Sequence, residues 1–146
     1  LDDDAITNEN LAVYDAVITG VRAYNTNDRL KYLNGKLLAY VKAGGVLLVQ
    51  YNTNGNDLVM NNIGPYPFKI SRDRVTDEGA KVRFLKPEDA LLNVPNKITD
   101  KDFDGWIQER GLYFVSDVDS NYRKIFSMNF YRYLLRILMH WINRIC

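Results

Sequence analysis

One cysteine and one histidine in 146 residues rule out much of the usual chemistry. The cysteine is the terminal Cys146, so neither an intramolecular disulfide nor a cysteine-built metal site can form. A triad or zinc site built on imidazole would have to use His140, on an arginine-rich stretch. Carboxylates are plentiful, yet none has the spacing of a zinc or calcium motif. No phosphate-cradling loop follows either apolar strand, because Gly20-Val21-Arg22 and Tyr51-Asn52-Thr53 lack the required glycines. No apolar run is long enough to span a membrane, and Leu1-Asp2-Asp3-Asp4 is the wrong chemistry for a signal peptide. The net charge of +1 gives no broad field to recruit nucleic acid or anionic lipid. These residues imply no catalytic residue, cofactor or metal, and neither nucleic acid nor membrane is expected as a partner. They do not decide the compartment.

What is present reads as a soluble globular domain. The hydrophobic fraction is 47% and the charged fraction 25%, both ordinary values. The length suits a single domain with a real core. Tyr14 to Gly20 is a short apolar run ending at glycine, read as a buried strand. Asn27 is placed to cap a helix whose apolar stripe is Leu30, Leu33, Leu37 and Val41, widened by Leu38 and Tyr40. Gly44 is placed to stop it, and Gly45 to Tyr51 reads as a second buried strand. Strand, helix and strand in this span predict a βαβ unit with parallel pairing. A parallel sheet needs cover on both faces, so a layered α/β fold is expected.

The middle is less regular. Thr53 to Asp57 is turn chemistry. Short strands are expected near Phe68–Ser71, Lys81–Leu85 and Leu112–Val115, with brief helical turns after Pro87 and from Asp100. In the last segment, Phe130, Leu134, Ile137, Leu138, Trp141 and Ile145 recur at helical spacing, opposite Arg132, Arg136, His140 and Asn143. That spacing predicts an amphipathic helix over 129–146, following an α/β domain over 1–128. Asp2, Asp3 and Asp4 are expected to be a solvated end.

Ligands of open parallel sheets bind beyond the carboxyl ends of the strands. There this chain places Arg22, Tyr24 and Asn25 after the first strand and Tyr51 and Asn52 after the second. A guanidinium, phenols and amides suit sugar hydroxyls or a carboxylate, but the same residues serve equally as caps and turns. The densest stretch lies further on, from Pro95 to Phe114. Trp106 could stack on a sugar ring or anchor its loop. The neighbours Glu109 and Arg110 could contact a ligand or form structural ion pairs.

The runs YDAVITGVRAYN (14–25) and YVKAGGVLLVQYN (40–52), with PNKIT (95–99) and GWIQERGLYF (105–114), carry a resemblance. Over roughly residues 8–128 the chain resembles the class I glutamine amidotransferase-like domain appended to bacterial PIG-L (LmbE-like) deacetylases. The resemblance implies a flavodoxin-like three-layer α/β sandwich with a mainly parallel sheet, incomplete at its N-terminus. Where an amidotransferase has its nucleophile, Val49-Gln50-Tyr51-Asn52 offers neither cysteine nor serine. The histidine and paired aspartates of the deacetylase's zinc motif are absent, so N-acetyl-sugar hydrolysis belongs to a larger parent. Beyond Met128 the chain departs from the family pattern.

Three functions are expected from this reading. The first is a non-catalytic accessory domain binding a glycan or small polar ligand through Arg22, Tyr24, Asn25, Tyr51, Asn52, Trp106, Glu109 and Arg110. The second is a degenerate hydrolase or amidotransferase relative pairing Glu109 with a tyrosine. The third is a structural module that forms a homodimer through an uncovered sheet edge or the terminal helix.

Overall fold

The computed structural model describes residues 3–106 and 111–128 and the backbone of 136–139. Although the sequence reads as one domain to residue 128, the described residues divide into two compact units, one up to Lys69 and one from Ile70.

The first unit is built on the expected βαβ. Strand β1 (Ala16–Thr19) pairs in parallel with β2 (Val46–Val49), with Ala16 opposite Val46 and Thr19 opposite Val49. Ahead of them lies helix α1 (Asp3–Asn8), and between them come α2 (Ala23–Thr26) and the crossover helix α3 (Leu30–Lys42). Asn27 caps less directly than its spacing suggests: α3 begins three residues later, and Asn27 Oδ1 accepts the Arg29 N–H at 3.0 Å in the turn before it. Gly44 ends the helix as expected. With φ at 102°, it lets its own N–H reach Val41 O at 2.9 Å and the Gly45 N–H reach Tyr40 O at 3.0 Å. These two bonds satisfy the last-turn carbonyls in a Schellman arrangement.

Helix α3 buries Leu30, Leu37, Tyr40 and Val41, together with the polar Asn34. Helix α1 is tied to it by Lys36 Nζ, which donates to the carbonyls of Thr7 at 2.8 Å and Glu9 at 3.0 Å. The acidic start is not simply solvated. Asp3 Oδ1 accepts from Asn27 Nδ2 at 2.7 Å, and Arg29 lies 3.7 Å from Asp3 and 3.4 Å from Asp4. On β1, Val17 and Thr19 are buried while Ile18 on the alternate face is 61% exposed; on β2, Leu47 is buried and the residues beside it are half-buried.

The second unit is mostly short antiparallel pairings. Its strands are β3 (Lys69–Ile70), which starts at the boundary, β4 (Arg74–Val75), β5 (Val82–Phe84), β6 (Gly111–Leu112), β7 (Val115–Ser116), β8 (Lys124–Met128) and β9 (Arg136–Met139). Among the described residues β4 pairs with β6, and the others form a sheet in the order β3-β7-β9-β8-β5. The β5–β8, β7–β9 and β8–β9 registers are all antiparallel. Where the sequence leads one to expect a mainly parallel sheet in three layers, the described sheets are small, and parallel pairing is seen at β1–β2.

The expected strand over Leu112–Val115 is interrupted by Tyr113, whose φ of 52° breaks the extended path between β6 and β7. The core here is Val75, Ala80, Val82, Phe114 and Met128, with Phe103 and Phe126 against it. Asp89, whose side chain is 4% exposed, accepts the Leu91 N–H to start a 3-10 turn and pairs with Arg123 Nη1 at 2.8 Å.

The terminal helix expected over 129–146 is corrected at Arg136–Met139. These residues form β9, with Met128 opposite Arg136, Phe126 opposite Leu138 and Lys124 opposite Met139, across a bulge in β8. A short apolar run is compatible with either helix or strand by periodicity alone. The free edge of β8 offers these four residues backbone partners, and tertiary pairing overrides the local pattern. The remainder of that segment lies outside the described residues. No helix among the described residues is long and apolar enough to cross a membrane.

Candidate functional site

Parallel registration sets the carboxyl ends of β1 and β2 side by side, Thr19 opposite Val49. The polar residues following the two strands are thereby brought together. Arg22 adopts a left-handed conformation, φ 58° and ψ 22°, and its N–H donates to Tyr51 O at 2.6 Å. This bend starts α2 and sets Tyr24 and Asn25 in its first turn.

Both asparagines are used to join the two chain segments. Asn52 Oδ1 accepts the Tyr24 N–H at 2.9 Å, and its Nδ2 donates to Gln50 O at 2.8 Å. Asn25 holds both backbone groups of Thr53: its Oδ1 accepts the N–H at 2.9 Å and its Nδ2 donates to the carbonyl at 3.1 Å. The same Nδ2 is 3.3 Å from Asp57 Oδ1, and Asp57 Oδ2 lies 2.8 Å from Arg22 Nη2. The Arg22 and Asp57 side chains are both close to half exposed, so water and salt screen the pair to about 1 kcal/mol or less.

Tyr24 is wholly buried. Its hydroxyl donates to Asn34 Oδ1 at 2.7 Å, and Asn34 Nδ2 donates to Ile63 O at 3.1 Å. Burial pushes the phenol well above the ordinary tyrosine range. A neutral phenol whose proton is already committed to an amide is no acid–base partner, so Tyr24 acts as a buried strut. Asn25 and Asn52 are likewise buried. Arg22 and Tyr51 keep exposed surface at this rim, Tyr51 at 38%.

The other candidates are placed differently. Trp106 belongs to the second unit, where it is 47% exposed and follows Gly105, whose φ of 77° needs glycine. Its ring stands edge-on to Phe103, centroids 5.1 Å apart and planes at 73°. Phe103 in turn packs edge-on against Phe126 at 5.7 Å, and Phe126 against Phe84 at 5.1 Å. The turn before it is a capping box in which Asp102 Oδ2 accepts the Thr99 N–H at 2.6 Å and the Thr99 hydroxyl at 3.1 Å. The Thr99 backbone N–H, then its hydroxyl, hold the Asp102 carboxyl below the usual carboxylate range. Glu109 and Arg110 lie outside the described residues.

Two further residues bond to this group. Asn34 carries a legible signal, because an amide inside an apolar helical stripe must find buried partners. Asp57 has none: its loop looks like any turn, and its link to Arg22 spans 35 residues. Among the described residues, no group of three or more His, Cys, Asp or Glu side chains could hold a metal ion. Searched against known proteins, the chain matches no family model, no curated protein and no solved structure.

Proposed function

We propose that this chain is a non-catalytic accessory domain that binds a carbohydrate or similar small polar ring, of the kind appended to PIG-L deacetylase-like parents on an amidotransferase-like α/β scaffold. The observation that carries the reading is Trp106, half exposed yet fixed edge-on by an aromatic cluster. A large flat ring held still loses little entropy on contact, which favours stacking on a sugar face. The chain just before it, Asp100 to Asp104, carries three carboxylates and one lysine, groups able to accept from hydroxyl donors. The parallel βαβ unit supports the amidotransferase-like ancestry. The rim asparagines and Tyr24 act as scaffold in this reading, because their polar atoms already bond within the chain.

Titration of the chain against a glycan panel, followed by isothermal calorimetry, tests the proposal. Trp106→Ala is expected to weaken binding by about tenfold or more, equivalent to about 1.4 kcal/mol. Retained affinity in that variant, or no binding by the unaltered chain, removes the proposal.

A second reading, a self-associating module, is favoured by the apolar surface at Val13, Ile18 and Val21, each more than 60% exposed. Large exposed apolar patches mark association sites. Light scattering should then give a dimer mass for the intact chain and a monomer mass for Ile18→Lys. A monomer before substitution ends this reading.

A further inference from the structure

The chain contains two Asn-Gly pairs, Asn34-Gly35 and Asn54-Gly55, one inside a helix and one in a loop. A glycine N–H following asparagine is the least hindered backbone nucleophile available to that side-chain amide, since no Cβ blocks its approach. Asn34 is 3% exposed inside α3, with Oδ1 bonded by the Tyr24 hydroxyl and Nδ2 bonded to Ile63 O. Closing a ring there would require breaking the helix and both side-chain bonds. Asn54 instead lies in the loop after β2, partly exposed and outside any helix or strand. The Gly55 N–H donates no hydrogen bond among the described residues, although Gly55 O accepts the Leu58 N–H at 3.1 Å.

We propose that Asn54 is a site of spontaneous deamidation, becoming aspartyl and isoaspartyl, while the fold keeps Asn34 inert. Gly55 N loses its proton and bonds to Asn54 Cγ. The Cγ–Nδ2 bond breaks, and ammonia leaves with that proton. Water then opens the cyclic imide at either carbonyl, so one water is consumed for each ammonia released and no other reactant is needed. Such lability of asparagine is one reason thermophilic proteins use little of it.

A side chain at residue 55 would meet the Asp57 carboxylate, which would have to move aside. The consequences fall on the strand-end clamp. Either product adds a negative charge three residues from Asp57. The isoaspartyl form also lengthens the main chain next to Thr53, whose N–H and C=O are both held by Asn25.

Peptide mapping by mass spectrometry, after timed incubation of the folded chain in mildly alkaline buffer, tests this. Aspartyl and isoaspartyl products are expected to accumulate at residue 54, faster as pH rises. Asn34 is expected to react at least about tenfold more slowly, because its reaction waits on helix opening. In urea the two sites should converge in rate, and Asn54→Gln should remove the loop product without changing Asn34. Equal rates in the folded chain, or an intact Asn54 in the folded chain beside a reactive one in urea, would overturn the proposal.

Discussion

Replacing Tyr24 by alanine is expected to destabilise the first unit by about 3–5 kcal/mol, the range for removing a large buried aromatic. Tyr24 has no exposed surface, so its loss leaves a cavity. Its hydroxyl is also the partner of Asn34 Oδ1, and the alanine would strand that oxygen in the interior. Tyr24→Phe separates the two effects. It keeps the ring, removes the hydroxyl and is expected to cost about 1–3 kcal/mol, the penalty for a buried polar group without a partner. Urea denaturation of the three proteins measures both steps. Near-equal stability of Tyr24→Phe and the unaltered chain would mean that Asn34 finds another donor.

Phe114→Ala is expected to cost the second unit about 3–5 kcal/mol by the same mechanism. Phe114 is 3% exposed and packs with Val75, Ala80, Val82 and Met128. Its ring also fills the space where a side chain at Gly111 would stand, so the void would open beside the β4–β6 pairing. Phe114→Leu should recover part of the loss. Amide hydrogen exchange gives the local readout: protection should fall at Val75, Val82 and Met128 for Phe114→Ala, and around α3 for Tyr24→Ala. A loss below about 1 kcal/mol for Phe114→Ala would show that the site collapses around the smaller residue.

The βαβ unit was legible because several independent signals agree there. The stripe from Leu30 to Val41, the glycine at position 44 and two apolar runs all specify the same short element order. The second unit offered no such agreement. Its strands are two to five residues long, too short for alternation to declare itself, and their partners are distant in sequence. Arg136–Met139 shows the cost of that: helical spacing in the residues around it masked a strand whose conformation β8 imposes.

At the candidate site, the polar residues after each strand are legible in the sequence, and the fold brings them together. What the sequence could not show was whether their amides face a ligand or one another, since hydrogen-bond partners 28 residues apart leave no local trace. The parallel register settles that for Asn25 and Asn52, which bind backbone. It leaves Trp106, whose exposure no spacing rule predicts.

The strand order β3-β7-β9-β8-β5 has a kinetic corollary. Its middle member comes last along the chain, so neither flanking pair can join the other until residues 136–139 have been synthesised and have found their slot. A nascent chain would therefore wait with two half-sheets and bare hydrogen-bonding edges, the stage at which a chaperone has most to protect.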